Sequence, residues 1–335
     1  MNKIAKTVLM TGTALCVAGV VLSTAGYFAG GKDFTYTSDH MYVSGGNSSS
    51  RKNLTVMKKE QIDDFTKLNV DFEDFDLDIR TSDDDHYYME YKLEKNGRKN
   101  PLTWKDKDGE LTLEEPAGGS GSYYITYDLG IFSTHADLTE KKDALNTVVL
   151  YIPEKAQLSE AELQLSDGDL AADQLLCKEM TLELLSGDLM LDKGEFEKFD
   201  AKLSDGDLNV KELQCTDNMQ LKSGNGDVTI KKADLQMQIA LSDGDIQIDN
   251  SSFNGDMKIN SSCGDVSVEM KNGSAEKTNI YLKAADGDVD TEGLSRGKTD
   301  NEEDTSVYEN KAGASAPTLN VECSDGDITL TESEK

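Results

Sequence analysis

The sequence predicts an all-β fold, a β-solenoid of two-strand coils each about 20 residues long, with DGD corners, preceded by one N-terminal transmembrane helix. Three observations predict it. A short Asp-Gly-Asp motif recurs at a near-constant interval. Strands of period-two alternation flank each copy. One uninterrupted apolar run stands near the start of the 335-residue chain.

The motif reads SDGDL at 166–170, SGDL at 186–189, SDGDL at 204–208, NGDV at 225–228, SDGDI at 242–246, CGDV at 263–266, ADGDV at 285–289 and SDGDI at 324–328. Its glycines are Gly168, Gly187, Gly206, Gly226, Gly244, Gly264, Gly287 and Gly326, separated by 19, 19, 20, 18, 20, 23 and 39 residues. The last interval reads as two periods with an insertion. Glycine supplies the turn, and the neighbouring Asp or Ser can accept from turn N–H groups.

The alternation comes second. Leu208-Asn209-Val210 and Val228-Thr229-Ile230 follow the motif, and Met219-Gln220-Leu221 and Leu319-Asn320-Val321 precede it. Period two buries one face and wets the other. A single unit cannot cover its apolar stripe, but stacked units can, because equivalent positions fall on one ladder. The regular solenoid is expected over 158–335, with a surface-loop insertion at 296–316. Residues 61–157 read as degenerate repeats and a cap. Leu68-Asn69-Val70, Phe75 to Ile79 and the run Thr147 to Pro153 carry the strand pattern there, while 116–146 has no regular pattern.

The apolar run comes third. Thr7 to Ala29 is 23 residues without a charge, preceded by Lys3 and Lys6. A bilayer span needs about 20 residues. Flanking positive charge favours a cytoplasmic tail at 1–6 and export of the rest. The expectation is a single-pass cell-membrane protein with an extracellular C-terminal domain. Cleavage near Ser23-Thr24-Ala25 is the alternative, and would give a secreted chain. Residues 30–60, with GGNSSSRKN at 45–53, read as a flexible linker.

The formal charge is −30. Such a surface repels nucleic acid and anionic lipid, and favours cations or basic partners. Five cysteines show no CxxC spacing, so no zinc or thioredoxin-type site is indicated. Cys215 and Cys323 share the apolar phase of their strands and read as small buried hydrophobes.

The repeat grammar resembles the DUF4097 family of β-strand-repeat proteins, also known as candidate adhesins and common in Gram-positive bacteria. The residues that carry the resemblance are Leu68 to Val70, Phe75 to Ile79 with the following SDDD, Val148 to Pro153 and the serial DGD motifs. It implies a solenoid-like fold and a cell-envelope location. It transfers no catalytic or binding residue.

Two sets of side chains are candidates for chemistry. Asp169, Asp188, Asp207, Asp227, Asp245, Asp265, Asp288 and Asp327 should fall on one line, about 4.8 Å apart in adjacent coils. Each could accept hydrogen bonds from its own turn, or successive corners could bind calcium through carboxylates and carbonyls. A second line holds Asp167, Asp205, Asp243, Asp286 and Asp325. The other set is aromatic: Trp104, Tyr123, Tyr124 and Tyr127, read as cap packing or as a sugar- or peptide-binding patch. No GxSxG, HExxH or Walker string occurs, and no cofactor is implied apart from that calcium. The expectation is a non-enzymatic, adhesin-like binding or structural module. Its partners would be the membrane, through its own helix, and an envelope protein or glycan. The alternative is an extracellular sensor of envelope stress acting through a membrane partner.

Overall fold

In a computed structural model of the chain, residues 34–36, 41–43, 54–95, 97–116, 125–126, 145–291, 294, 296–302 and 305–333 are described. They fall in two units. In the smaller, the strands Phe34–Tyr36, Met41–Val43 and Ile125–Thr126 pair antiparallel. The larger is a stack of coils. The run 7–29 and its cleavage site lie outside the described residues, among which no helix is long and apolar enough to cross a membrane.

The coils climb by parallel pairing. Leu170–Ser186 lies on Leu189–Asp205, and that on Leu208–Asn225. The next coils, Ala233–Asp243 and Ile246–Cys263, continue the ladder. Within one coil the buried residues are Leu170 and Ala172, then Leu175 and Cys177, then Met180, Leu182 and Leu184. Between these runs Asp173-Gln174 and Lys178-Glu179 interrupt the buried set. An extended chain alternates faces, so two successive non-core residues mark a bend. Each coil therefore has three sides, where the sequence pattern suggests two strands.

The side chains of one ladder fill one core. Met180, Phe199, Met219, Met237, Met257, Leu319 and Ile280 are in register and buried. Burial of each stabilises by about 1.5–3 kcal/mol. Size is exchanged locally. Gly194 stands where neighbouring coils have Leu175 and Leu213. A Cβ there would come within 2.6 Å of the Phe196 ring, which stacks on Phe199 with centroids 4.7 Å apart. Cys177, Cys215 and Cys323 are buried free thiols and Cys263 is exposed. Burial pushes the Cys177 thiol up to about 12.

Both ends depart from sequence order in the same way. At one end Lys67–Phe72 and Asp76–Ser82 come first in the chain but second in the stack. They lie between Glu110–Glu114 with Thr147–Pro153 outside and Leu158–Leu165 with the start of Leu170–Ser186 inside. At the other end Thr318–Asp325 and Ile328–Glu332 come last in the chain. They are wedged between the Ile246–Cys263 coil with Val266–Met270 and the pair Asn279–Asp286 with Val289–Asp290. The 39-residue interval is thus not two periods along the stack. A Cβ on Gly326 would meet the carbonyl of Gly264, and one on Gly287 that of Gly326.

The outermost strands would leave a row of backbone groups without partners. Antiparallel strands cover them. Tyr87–Glu94 pairs with Thr147–Pro153, and Thr103–Lys107 with Glu110–Glu114. Thr305–Asn310 pairs with Asn279–Asp286 and with Lys298–Glu302. The insertion expected as a surface loop at 296–316 therefore contains an antiparallel hairpin. Likewise Leu54–Ile62, at the end of the expected 30–60 linker, is a strand that pairs with Tyr87–Glu94.

Candidate functional site: the acidic corner edge

The glycine corner is built by backbone stacked on backbone. At Gly206 φ is +140°, a region costly for residues with a Cβ. A Cβ there would stand 2.1 Å from the Gly187 carbonyl oxygen. The same collision recurs down the edge, so the glycines set the distance between coils as well as the turn.

The aspartates that follow the glycines form a relay. The Asp169 amide donates to Asp76 Oδ1 at 3.0 Å, and the Asp188 amide to Asp169 Oδ1 at 3.0 Å. Asp207, Asp227, Asp245 and Asp265 continue it at 2.8–2.9 Å. The Asp327 amide then donates to Asp265, and the Asp288 amide to Asp327, both at 2.8 Å. The carboxylates thus accept from the next coil and not, as the sequence suggests, from their own turn. A charge-assisted bond of this kind holds each side chain in one orientation. Among the described residues, no three acidic, His or Cys side chains converge on a common point.

The residues before the glycines form a second line: Ser186, Asp205, Asn225, Asp243, Cys263, Asp325 and Asp286, in stack order. Acids alternate with neutral residues over most of its length. Unit charges about 5 Å apart in water repel by about 0.8 kcal/mol, and alternation doubles their spacing. At Asn225 the amide Nδ2 also donates to Asp205 Oδ1 at 2.5 Å.

Sequence reading missed the N-terminal end of this edge. Asp76 starts the relay without a glycine beside it, because Phe75, fully buried, occupies the glycine position. Beneath it the buried Glu115 accepts the Glu73 and Asp74 amides through Oε2, at 2.9 and 2.7 Å. In the outermost coil Glu110–Glu114 and Thr147–Pro153 are not joined by a four-residue corner; residues 115–146 separate them in the sequence.

Elsewhere several surface charges are paired across coils. Lys202 meets Glu183 at 2.5 Å, Lys211 meets Asp192 at 2.7 Å and Lys232 meets Glu212 at 3.0 Å. Among the described residues no lysine or arginine stands within ion-pair distance of the relay aspartates from Asp169 to Asp288. From Asp169 to Asp288 the acidic edge is continuous, without a cation at ion-pair distance among the described residues.

A family model, Toastrack DUF4097, matches residues 65–331, from the first strand of the stack to the last. The chain belongs to the Toastrack family. Solved structures that the chain matches include a candidate cell adhesion protein of Clostridium sporogenes, at 17% identity over 83% of this chain and 100% of that one, with a TM-score of 0.22. A candidate adhesin of Bacteroides fragilis is 13% identical over 85% and 99%, with a TM-score of 0.37. A candidate lipid-binding protein of Parabacteroides distasonis is 13% identical over 85% and 98%, with a TM-score of 0.41. The roles in those names stay with those proteins. No curated protein matches this Toastrack chain.

Of the aromatic set, Tyr123, Tyr124 and Tyr127 lie outside the described residues. Trp104 is 39% exposed, on the covering strand opposite Leu113. Tyr87 is core, packed on Phe65 at 4.8 Å between centroids. A different cluster forms on the outer face of this Toastrack stack. Tyr151 and Tyr88 are directly opposite each other, with the Lys59 ammonium 3.7 and 4.9 Å from their ring centroids. The Tyr151 hydroxyl donates to Glu90 at 2.6 Å and is pushed up to about 12, by burial first and by Glu90 second. These residues are far apart in sequence, so no local signal marks the cluster.

Proposed function

We propose that this chain is a non-catalytic surface module of the bacterial cell envelope. Residues 7–29 hold it in the membrane, and the stack presents its acidic edge to an envelope protein, a glycan or another extracellular partner. One observation carries the reading: from Asp169 to Asp288 a line of carboxylates, one per coil, is fixed in orientation by amides, with no cation among the described residues at ion-pair distance. A rigid row of like charge at a constant repeat is a recognition surface for something cationic and extended.

Two measurements test it. Protease shaving of intact cells should release the domain while a cytoplasmic control stays intact; a protected domain would overturn the location. The full chain should be retained on isolated envelope material in a salt-sensitive way. Asp207→Asn, Asp227→Asn and Asp245→Asn together should weaken retention. Unchanged retention would remove the edge as the binding surface. Depolymerisation of envelope glycan by the purified chain would overturn the non-catalytic reading. Stable co-purification with one membrane protein would favour the sensor reading. A calcium-specific rise in melting temperature, unmatched by magnesium, would make calcium a resident of the edge.

A further inference from the structure

At the C-terminal end, opposite in character to the acidic edge, lies a cleft of about 530 Å³. Tyr281, Gly313, Ala314, Glu309 and Lys311 are among the residues that line it. Glu309 and Lys311 form an ion pair at 3.7 Å. The backbone around Gly313 is pinned. Asn279 Oδ1 accepts the Ala312 and Gly313 amides at 3.0 and 3.2 Å, and its Nδ2 donates to the Gly313 and Ala316 carbonyls at 2.8 and 3.1 Å. The buried Asn310 is held in turn, donating to the Ala275 and Thr278 carbonyls. A preformed cleft of this size suits a small ligand or the end of a longer one, and rigid walls lower the entropic cost of binding.

A row of side chains leads from the cleft along the stack. Gln220, Gln238, Lys258, Asn320 and Tyr281 stand side by side, one per coil, and Glu309 follows on the covering strand. The residues on either side of each in its strand are buried, so the row faces outward. Over these six residues the formal charge is one Lys against one Glu, hence zero, on a chain of −30; beyond Gln220 the row continues to Asp200. Amides, an aromatic platform and balanced charge match hydroxyl-rich, uncharged rings, which stack an apolar face on tyrosine and hydrogen-bond sideways.

We infer that this row is a binding site for a neutral oligosaccharide, with one ring on Tyr281 in the cleft and the chain running over Asn320, Lys258 and Gln238. The inference names a ligand class for a surface module, and it stands or falls separately from the acidic edge.

The test uses the full chain, solubilised in detergent, with neutral oligosaccharides of glucose, galactose, mannose and N-acetylglucosamine as probes. Heparin, a polylysine peptide and phosphatidylcholine vesicles serve as competing arms. Saturation-transfer NMR and titration calorimetry read binding. One neutral series should bind, a disaccharide at about 1 mM, more tightly with length. Tyr281→Ala should weaken it at least ten-fold with the melting temperature unchanged. Tyr281→Trp should restore it, and Trp104→Ala should leave it alone. If Tyr281→Ala lowers the melting temperature, ring-proton shifts of Tyr281 in the wild-type chain decide instead. Binding only by heparin, peptide or vesicles, no binding at all, or an affinity indifferent to Tyr281 would each overturn the proposal. Loss of retention at the acidic edge would leave it standing.

Discussion

At the glycine corner every regular coil turns with the same residues, whereas the bend between the second and third sides takes whatever length it is given. That second bend is Lys178-Glu179 in one coil and Glu197-Lys198 in the next. It is then Thr216 to Asn218, Gln236 alone, and Asn254 to Asp256. Those lengths of 2, 2, 3, 1 and 3 follow the glycine intervals of 19, 19, 20, 18 and 20 one for one. In these five coils all variation in length is absorbed at one bend; only at the 23-residue interval does the register shift at the first bend, between Ile248 and Ser251. The physical difference lies in what touches. At the glycine corner, backbone meets backbone with no room for a Cβ, and side chains relay bonds between coils. At the other bend the contacts are made by side chains, and a bulge can take up one or two residues.

The sharpest way to break the first corner is Gly206→Ala. The new methyl would face the Gly187 carbonyl at 2.1 Å with φ at +140°. Relief requires moving two coils apart. Left-handed strain and overpacking together should cost about 4 kcal/mol, seen as a fall of about 10 °C in the melting midpoint. A fall no larger than that of an outward-facing Gln220→Ala control would mean that the stacked glycines do not set the coil spacing.

Next in size is Asp207→Ala. It deprives the Asp227 amide of its acceptor and should cost about 2 kcal/mol. Asp207→Asn keeps an oxygen at Oδ1 and should recover most of that loss. If the alanine and asparagine variants melt together, the relay bond contributes nothing and the aspartates are present for their charge alone.

Much of this corner is legible in the sequence, because its chemistry is local. A glycine is needed for the turn, an aspartate for the next amide, and both recur at the coil period. What is not legible is which coil touches which. Gly287 and Gly326 sit in the same local grammar as Gly264, so nothing in that grammar shows that Thr318–Asp325 is inserted between two earlier coils. The three-sided shape is hidden for a related reason. Asp173-Gln174 breaks the alternation by one residue, which reads as noise in a strand unless neighbouring coils show Lys193 and Glu212 at the same place. At the N-terminal end the corner is Phe72 to Asp76, without glycine, and it precedes the alternating run Phe75 to Ile79; the TSDDD that follows the run is a different turn. The row through Tyr281 escapes sequence reading because its six members lie in five different coils and a covering strand.

A third change tests whether the line before the glycines is tuned by charge. Asn225→Asp removes the bond to Asp205 and places like charge beside both Asp205 and Asp243. Two new repulsions of about 0.8 kcal/mol each give a loss of about 1.5 kcal/mol at low salt. Screening should return most of it at high salt, where the Debye length falls to about 3 Å. Asn225→Ser, which lacks the charge, should show little salt dependence. Parallel salt curves for the two variants would mean that the alternation of acid and neutral residues carries no electrostatic benefit.

The smallest effect is expected at the tolerant bend. Deleting Asp217 shortens Thr216 to Asn218 to two residues, the length already present at Glu197-Lys198 in the coil it lies against. The register shift between Phe196 and Lys198 should then vanish, and every other pairing of that coil should survive. Exposed changes without a broken cap, cavity or buried partner usually fall within about 0.5 kcal/mol, so the melting midpoint should move by no more than about 2 °C. Moving the deletion to Asp205 is the informative control. It also removes one residue from an exposed position, but it pulls Gly206 out of its stack and leaves Asp207 one place short of Asp188. If the two deletions cost the same, coil length is regulated around the whole circumference and not at one bend, and the distinction between the two corners fails.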